Sequence, residues 1–297
     1  MPVDRIEEIV SEAKKKRIID YNGFSFRFNI DFLGKRLPLH ENGMIFIALS
    51  GSKELLKKTY YSVGGGFIKT EEDFEKPAVK NGDVPYAFKN AEELLKISSG
   101  KKLSDLLIEN EIYLHGSLEK LKSHVGRIWD TMKKTVEHGI NKDGYLPKPI
   151  ALKRRAKRLY SFLKDSDKLN HDIAMIKMNW VNLFAISTAE ENASGGRVVT
   201  APTNGSCGVV PAVLLYYDKF IKKLTENDLL RFFAVSAAIG ALFKMNTSIA
   251  GAEVGCQGEI GVVSSMAAAG LAELLNASNK HILIAAEIAM EHHLGLT

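Results

Sequence analysis

Apolar positions along this chain recur with two different periods, and the change falls near residue 85. From Asp4 to Lys16, the residues Ile6, Ile9, Val10 and Ala13 share one side of a helical projection, which predicts a short charged amphipathic helix. Phe24, Phe26 and Phe28 then alternate with Ser25, Arg27 and Asn29, a period of two that predicts a strand over 24–33. The apolar run Met44–Ser50, bounded by Asn42-Gly43 and Gly51, predicts a buried strand. Lys57–Ser62 predicts another, broken by Gly64-Gly65-Gly66. So few strands make a small sheet that looks short of partners.

Past Pro85 the period lengthens. Leu118, Leu121, Val125, Ile128, Trp129, Met132 and Val136 recur at helical spacing, and Gly139 is placed to stop that helix. Trp180–Ala193 predicts a second helix. Val209–Leu224 predicts a third, with Pro211 in its first turn, where a missing N–H costs little. Thr225 and Asp228 form a capping-box pattern ahead of Leu229–Met245, with Asp in place of the usual Glu or Gln. Ser264–Leu275 and Lys280–His292 complete the helical set. The polar stretch Lys69–Asp83 separates the two regimes. The expectation is a mainly α chain: a small, partial α/β domain over 1–68, a linker over 69–84, and an all-helical domain over 85–297.

Composition narrows the class. A length of 297 residues suits one large domain or two modest ones, and 45% apolar with 25% charged residues is the balance of an ordinary globular chain. The net charge of +5 is scattered. Its densest run, Lys153–Arg158, has no aromatic stacking platform or nucleic-acid fold motif beside it, so it reads as solvated surface and no nucleic-acid partner is expected. No uninterrupted apolar run reaches membrane-spanning length, and the charged start MPVDRIEEIVSEAKKKR lacks the apolar segment of a signal peptide. Two cysteines, Cys207 and Cys256, make no disulfide framework. Together these predict a cytoplasmic protein with no membrane partner.

The stretch Asn246–Leu275 carries the densest candidate chemistry. Gly255 and Gly258 stand on either side of Cys256, where glycine lets the backbone take positive φ and bring N–H groups close to a bound object. The pattern predicts a loop bearing the cysteine, a tight turn, and then a buried helix of small residues. A lone cysteine also reads as a satisfied core thiol, and so does Cys207. Glu253 and Glu259 flank Cys256 as proton-relay groups or as structural ion pairs. Thr200-Ala201-Pro202-Thr203-Asn204-Gly205 runs into the Val209 helix, whose free N–H groups and dipole attract an anion; a plain turn at a helix start is the other reading. His40, beside Pro38 and Asn42-Gly43, has the setting of a turn residue, yet imidazole suits proton transfer near neutral pH. Gly64-Gly65-Gly66 lacks the Gly-Lys-Ser/Thr ending and the following helix of a phosphate loop, so it reads as a domain-edge turn.

Several long segments in one colinear order resemble the iron–sulfur-dependent bacterial L-serine dehydratases. They are LPLHENGM (37–44), KTYYSVGGGFI (58–68), VPYAFKNAEELL (84–95), WVNLFAISTAEENASGGR (180–197), GGRVVTAPTNGSCGVVPAVLLYY (195–217), the stretch 246–275, and AAEIAMEHHLGLT (285–297). The resemblance implies an enzyme that removes water and then ammonia from L-serine to give pyruvate, using a [4Fe–4S] cluster and no pyridoxal phosphate. It implies an α/β domain, of which residues to about Ile68 match only the tail end, followed by an all-helical catalytic domain.

The resemblance also assigns residues. Cys256, in Gly-Cys-Gln-Gly-Glu, matches the first of the family's three cluster cysteines. The second directly follows Leu-Gly-Leu-Thr, here Leu294–Thr297, and the third comes shortly after, so both positions fall outside these 297 residues. The chain is therefore expected to be incomplete by itself, with a second chain supplying the missing β-domain part and cysteines, or a homodimer, as its partner. Cys207 is not at a ligand position. His40 matches an active-site histidine; for Thr203, Asn204 and Gly205 it is the free N–H groups and dipole of the helix start, not the resemblance, that give the expectation that they help hold the serine carboxylate. His292 and His293 precede the next cysteine, as supporting groups or as cations near a helix end. The chemistry fits the demand: elimination needs a positioned base for the α-proton and a Lewis acid for the hydroxide, and a cluster held by three cysteines leaves one iron open. A pyridoxal-phosphate dehydratase would need a Schiff-base lysine paired with a phosphate-cradling glycine loop, and no convincing pairing is present. A non-catalytic helical subunit or pseudoenzyme is the non-enzyme reading.

Overall fold

The computed structural model describes residues 6–75, 84–165, 173–249 and 251–294, without the side chains at 6, 7, 252, 256 and 257. Helix α1 (Ile6–Lys16) leads into an antiparallel hairpin of β1 (Ile18–Tyr21) and β2 (Phe24–Arg27). The hairpin turns on Asn22-Gly23, both with positive φ (49° and 80°), as a two-residue turn that matches strand twist requires. A second antiparallel sheet follows in the order β3 (Gly43–Ser50), β4 (Lys53–Ser62), β5 (Ile68–Thr70), closed by the short helix α2 (Glu71–Glu75). The alternation expected to run to residue 33 keeps its ladder only to Arg27, and β1 is a partner that the pattern did not announce.

β3 departs from expectation. Its apolar run was expected to be buried, yet Met44, Phe46, Ile47 and Leu49 are 60, 55, 50 and 61% exposed. The strand lies at the edge of the sheet, and its faces are not covered by any element among the described residues. An apolar run reports that a strand can be buried on both faces, not what buries it.

The remainder is helical: α3 (Ala91–Ile97), α4 (Leu103–His115), α5 (Leu118–Asn141), α6 (Ala156–Asp165), α7 (Ile173–Ala193), α8 (Val209–Phe220), α9 (Glu226–Asn246), α10 (Gly251–Leu274) and α11 (Asn279–Glu291). The chain is thus mainly α with a small α/β part at its start. Caps set several of the helix starts. Asn90, Ser117 and Ser278 accept from the backbone N–H groups of Glu93, Lys120 and His281. At α9 the capping box forms in full: Thr225 Oγ1 accepts from Asp228 N–H at 3.1 Å, and Asp228 accepts from Thr225 N–H at 3.0 Å. Gly139 does not stop α5, which runs on to Asn141. It is buried instead where α5 crosses α7, because a Cβ there would lie 2.4 Å from the Ser187 carbonyl oxygen.

α10 is the central helix, packed against α8, α9 and α11. One core cluster joins Val210, Leu214 and Tyr217 of α8 to Phe232 of α9 and to Val263, Ala267 and Leu274 of α10. The small residues allow close approach: a Cβ on Gly270 would lie 2.6 Å from Ser236 Oγ, and Ser265 Oγ donates to the Ala286 carbonyl of α11 at 2.8 Å. The segments 195–217 and 246–275 therefore pack together in the interior.

The basic run before α6 is not all solvated surface. Arg154 is 4% exposed, and its guanidinium donates to Glu191 Oε1 at 2.7 Å and to Ser194 Oγ. The other Glu191 oxygen meets His138 Nδ1. Glu190, also buried, accepts from the backbone N–H of Arg155 at 2.8 Å. A buried arginine needs such partners, and this network ties α6 and α7 to the turn that leads on to α8.

Candidate active site

The geometry begins with a break in α10. Gly255 has φ 63° and ψ −171°, a conformation essentially restricted to glycine. Residues 251–254 make one helical turn, the direction changes at Gly255, and the helix resumes at Cys256. The expected cysteine-bearing loop is thus a kink within a helix. Gly258 takes no part in the turn; a Cβ there would lie 2.3 Å from Val254 Cγ2, so it keeps the two helical pieces close.

One turn after Cys256, Glu259 carries its carboxylate between two glycines. A Cβ on Gly205 would lie 3.0 and 3.2 Å from its oxygens, and one on Gly251 would lie 2.7 Å from Oε1. This seats Glu259 against the turn before α8. In that turn Thr200 Oγ1 donates to Asn204 Oδ1 at 2.6 Å, leaving the amide NH2 as the donor end of Asn204. Thr203 is buried, its hydroxyl 3.0 Å from Ser206 Oγ, which in turn donates to the Ala201 carbonyl at 2.9 Å. The three residues expected to act together therefore divide. Asn204 and Gly205 are exposed, while Thr203 braces the turn from inside.

The α/β part reaches the same place by three contacts. A Cβ on Gly65 would lie 2.8 Å from Ile249 Cδ1, so the glycine turn after β4 is a contact surface for the segment before α10. Lys244 Nζ sits 3.5 Å from the centre of the Phe67 ring, and burial holds its pKa below the usual lysine value. His40 points Nε2 toward Glu253 Oε1 at 3.8 Å; its side chain is 9% exposed and that of Glu253 is 51% exposed. The other ring nitrogen, Nδ1, accepts from the Asn42 backbone N–H at 3.1 Å. Glu253 and Glu259 were expected as proton-relay groups or structural ion pairs flanking Cys256; which groups they meet follows from tertiary contacts that spacing does not carry.

The remaining candidates stand apart. Cys207 is 2% exposed, and burial pushes its thiol up to about 11, so it stays protonated and is not presented as a ligand. His292 Nδ1 meets the Ile288 carbonyl at 2.8 Å, a helix-end contact. His293 Cβ is 3.5 Å from where a Cβ on Gly261 would stand, so the chain leaving α11 passes beside α10 just beyond Cys256. Thr297 lies outside the described residues. Among the described residues no group of three or more His, Cys, Asp or Glu side chains is disposed to hold a metal ion, and no helix is long and apolar enough to cross a membrane.

Residues 98–297 match the family model described as serine dehydratase alpha chain, and residues 1–73 match the one described as serine dehydratase beta chain. The chain is 49% identical to an L-serine dehydratase of Haemophilus influenzae, over 99% of this chain and 66% of that protein. It is 53% identical to L-serine dehydratase 1 of Escherichia coli, over 90% of this chain and 59% of that one. Against an L-serine dehydratase of Streptomyces coelicolor it is 41% identical, over 99% of this chain and 65% of the relative. The chain spans less than two thirds of the length of these relatives. With the alpha-chain match over its helices and the beta-chain match over its first strands, the chain belongs to the serine dehydratase family.

Proposed function

We propose that this chain forms the core of an L-serine ammonia-lyase site, in a cytoplasmic enzyme that converts L-serine to pyruvate and ammonia. The observation that carries the reading is one convergence: His40 from the beta-chain-like part meets Glu253 beside the break in α10, and Glu259 of the same helix meets the turn at Gly205. In this reading the serine carboxylate lies on the exposed turn, held by the backbone N–H of Gly205 and the amide of Asn204, with Thr203 bracing the turn from within. His40 and Glu253 act as a pair in the proton transfer at Cα and Cβ, one orienting and the other transferring. Loss of the α-proton and of hydroxide leaves an aminoacrylate, which tautomerises to an imine and is hydrolysed to pyruvate and ammonia.

The resemblance implies a [4Fe–4S] cluster, which would supply a Lewis acid for the leaving hydroxide. The residues present do not complete such a site. A cluster takes three or four thiolates, and this chain has two cysteines, one of them a buried thiol. Cys256, at the first residue after the Gly255 break, is the one thiol proposed as a ligand, so the other ligands would come from family sequence outside these 297 residues or from a second chain. The exposed apolar faces of β3 and β4 support the same arrangement, with further beta-chain sequence, in the same polypeptide or a partner, lying over them. An anaerobic coupled assay of pyruvate from L-serine tests the reading, on this chain together with the family's remaining sequence. The expected result is turnover that air abolishes and borohydride does not. Turnover blocked by borohydride, or none with iron bound, would overturn it.

A further inference from the structure

The ring of His40 is oriented by a donor that cannot give up its proton. The Asn42 backbone N–H points at Nδ1 from 3.1 Å, and the Asn42 carbonyl accepts from the Ser62 N–H of β4 at 2.9 Å, so the residue that carries the donor is anchored to the sheet through its next peptide. A backbone amide only donates at that position, and Nδ1 must therefore be the lone-pair nitrogen of the imidazole. In its neutral form the ring then carries its proton on Nε2, the atom aimed at Glu253. Nε2 has no lone pair to offer in that tautomer. A proton arriving at Nδ1 would set two N–H groups head to head and break the bond that positions the ring.

We infer that His40 serves this site as a fixed Nε2–H hydrogen-bond donor and that Glu253 is the group that accepts the substrate's proton, an inference that rests on the dehydratase reading above. Glu253 is suited to it. It is half exposed and so open to a substrate, and the His40 N–H is the group that faces its Oε1, at 3.8 Å. As Glu253 takes the α-proton, the Cα–H electron pair becomes the Cα–Cβ π bond and the Cβ–O bond breaks toward oxygen. The same carboxyl group returns the proton to the departing hydroxide, which leaves as water. His40 stays in one protonation state throughout, in the manner of a neutral imidazole used as an electrophile rather than as a base.

Two measurements decide the matter. Ring-nitrogen NMR of the chain should show His40 with Nδ1 bare and Nε2 protonated. The Asn42→Pro variant, which lacks the N–H, should lose that preference, and the wild-type spectrum is decisive whether or not the variant folds. An Nδ1–H ring in the wild type would overturn the donor assignment. In the serine-turnover assay, Glu253→Gln should lower kcat about a hundredfold or more with KM little changed, the range expected for losing a general acid–base group. His40→Gln, which keeps an N–H donor, should lose distinctly less. A His40→Gln loss equal to or greater than that of Glu253→Gln would overturn the assignment of the acceptor. Absence of turnover in the wild type would sink the dehydratase reading instead, and the ring spectrum would still decide the state of His40.

Discussion

Arg154 Nη1 stands 2.7 Å from Glu191 Oε1 with both side chains 2% exposed, a buried ion pair built from a residue that composition alone assigns to the surface. Removing one partner leaves the other charge buried and unmatched. Arg154→Met or Glu191→Ala should therefore each destabilise the chain by about 3–5 kcal/mol, and the double variant with apolar replacements by less than the sum. Denaturant unfolding of the three variants checks this; additive losses would mean that the two charges are not coupled.

Two glycines of α5 give opposite expectations. A Cβ on Gly139 would lie 2.4 Å from backbone oxygen of α7, which cannot move aside as a side-chain tip can. Gly139→Ala should cost about 1–3 kcal/mol as overpacking. Gly126, in the same helix, has nothing within 4 Å of its Cβ position, so Gly126→Ala should stabilise by about 0.5–1 kcal/mol. Thermal melts of the pair read both signs.

Both glycines look alike in the sequence, and that marks the limit of what was legible. Local chemistry was readable: the Thr225–Asp228 box, the positive φ at Gly255 and the period of α5 each depend on a few adjacent residues. Whatever depends on a distant partner was not. Gly139 reads as a stop because Ser187 is 48 positions away in the chain. Arg154 reads as surface because Glu191 is on another helix, and the apolar β3 reads as buried because the pattern does not name its cover. At the site, the motifs pointed to His40, Cys256 and the Thr203–Gly205 turn. The pairing of His40 with Glu253 and the seat of Glu259 against Gly205 appear only in the fold.

Gly205→Ala tests the substrate turn. Its added methyl would press on the Glu259 carboxylate at 3.0–3.2 Å, a side-chain contact that can yield, so the fold should survive. The turn's donors would shift, and the KM for L-serine should rise about tenfold, equivalent to roughly 1.4 kcal/mol of binding. A melt close to wild type combined with an unchanged KM would remove Gly205 from the substrate site.

Cys207 offers a pH test. Its folded-state thiol titrates at about 11, above the ordinary 9.0, because burial disfavours the thiolate. The unfolded state therefore sheds this proton first as pH rises, and stability falls between about 9 and 11. In the folded chain at pH 8, Cys207 should resist alkylation that mass spectrometry detects readily after unfolding. Rapid alkylation of the native chain would show a thiol more open than its 2% exposure allows.

The central claim of the proposal is that Cys256, and not Cys207, is the cysteine of this chain that holds iron. The most direct measurement is iron content and pyruvate release, compared side by side for the wild type, Cys256→Ser and Cys207→Ser, each prepared anaerobically with the family's remaining sequence supplied. The account predicts that Cys207→Ser keeps both and Cys256→Ser loses both, and that this chain by itself holds no complete cluster. A Cys256→Ser protein that retains its iron and still releases pyruvate from L-serine would contradict it.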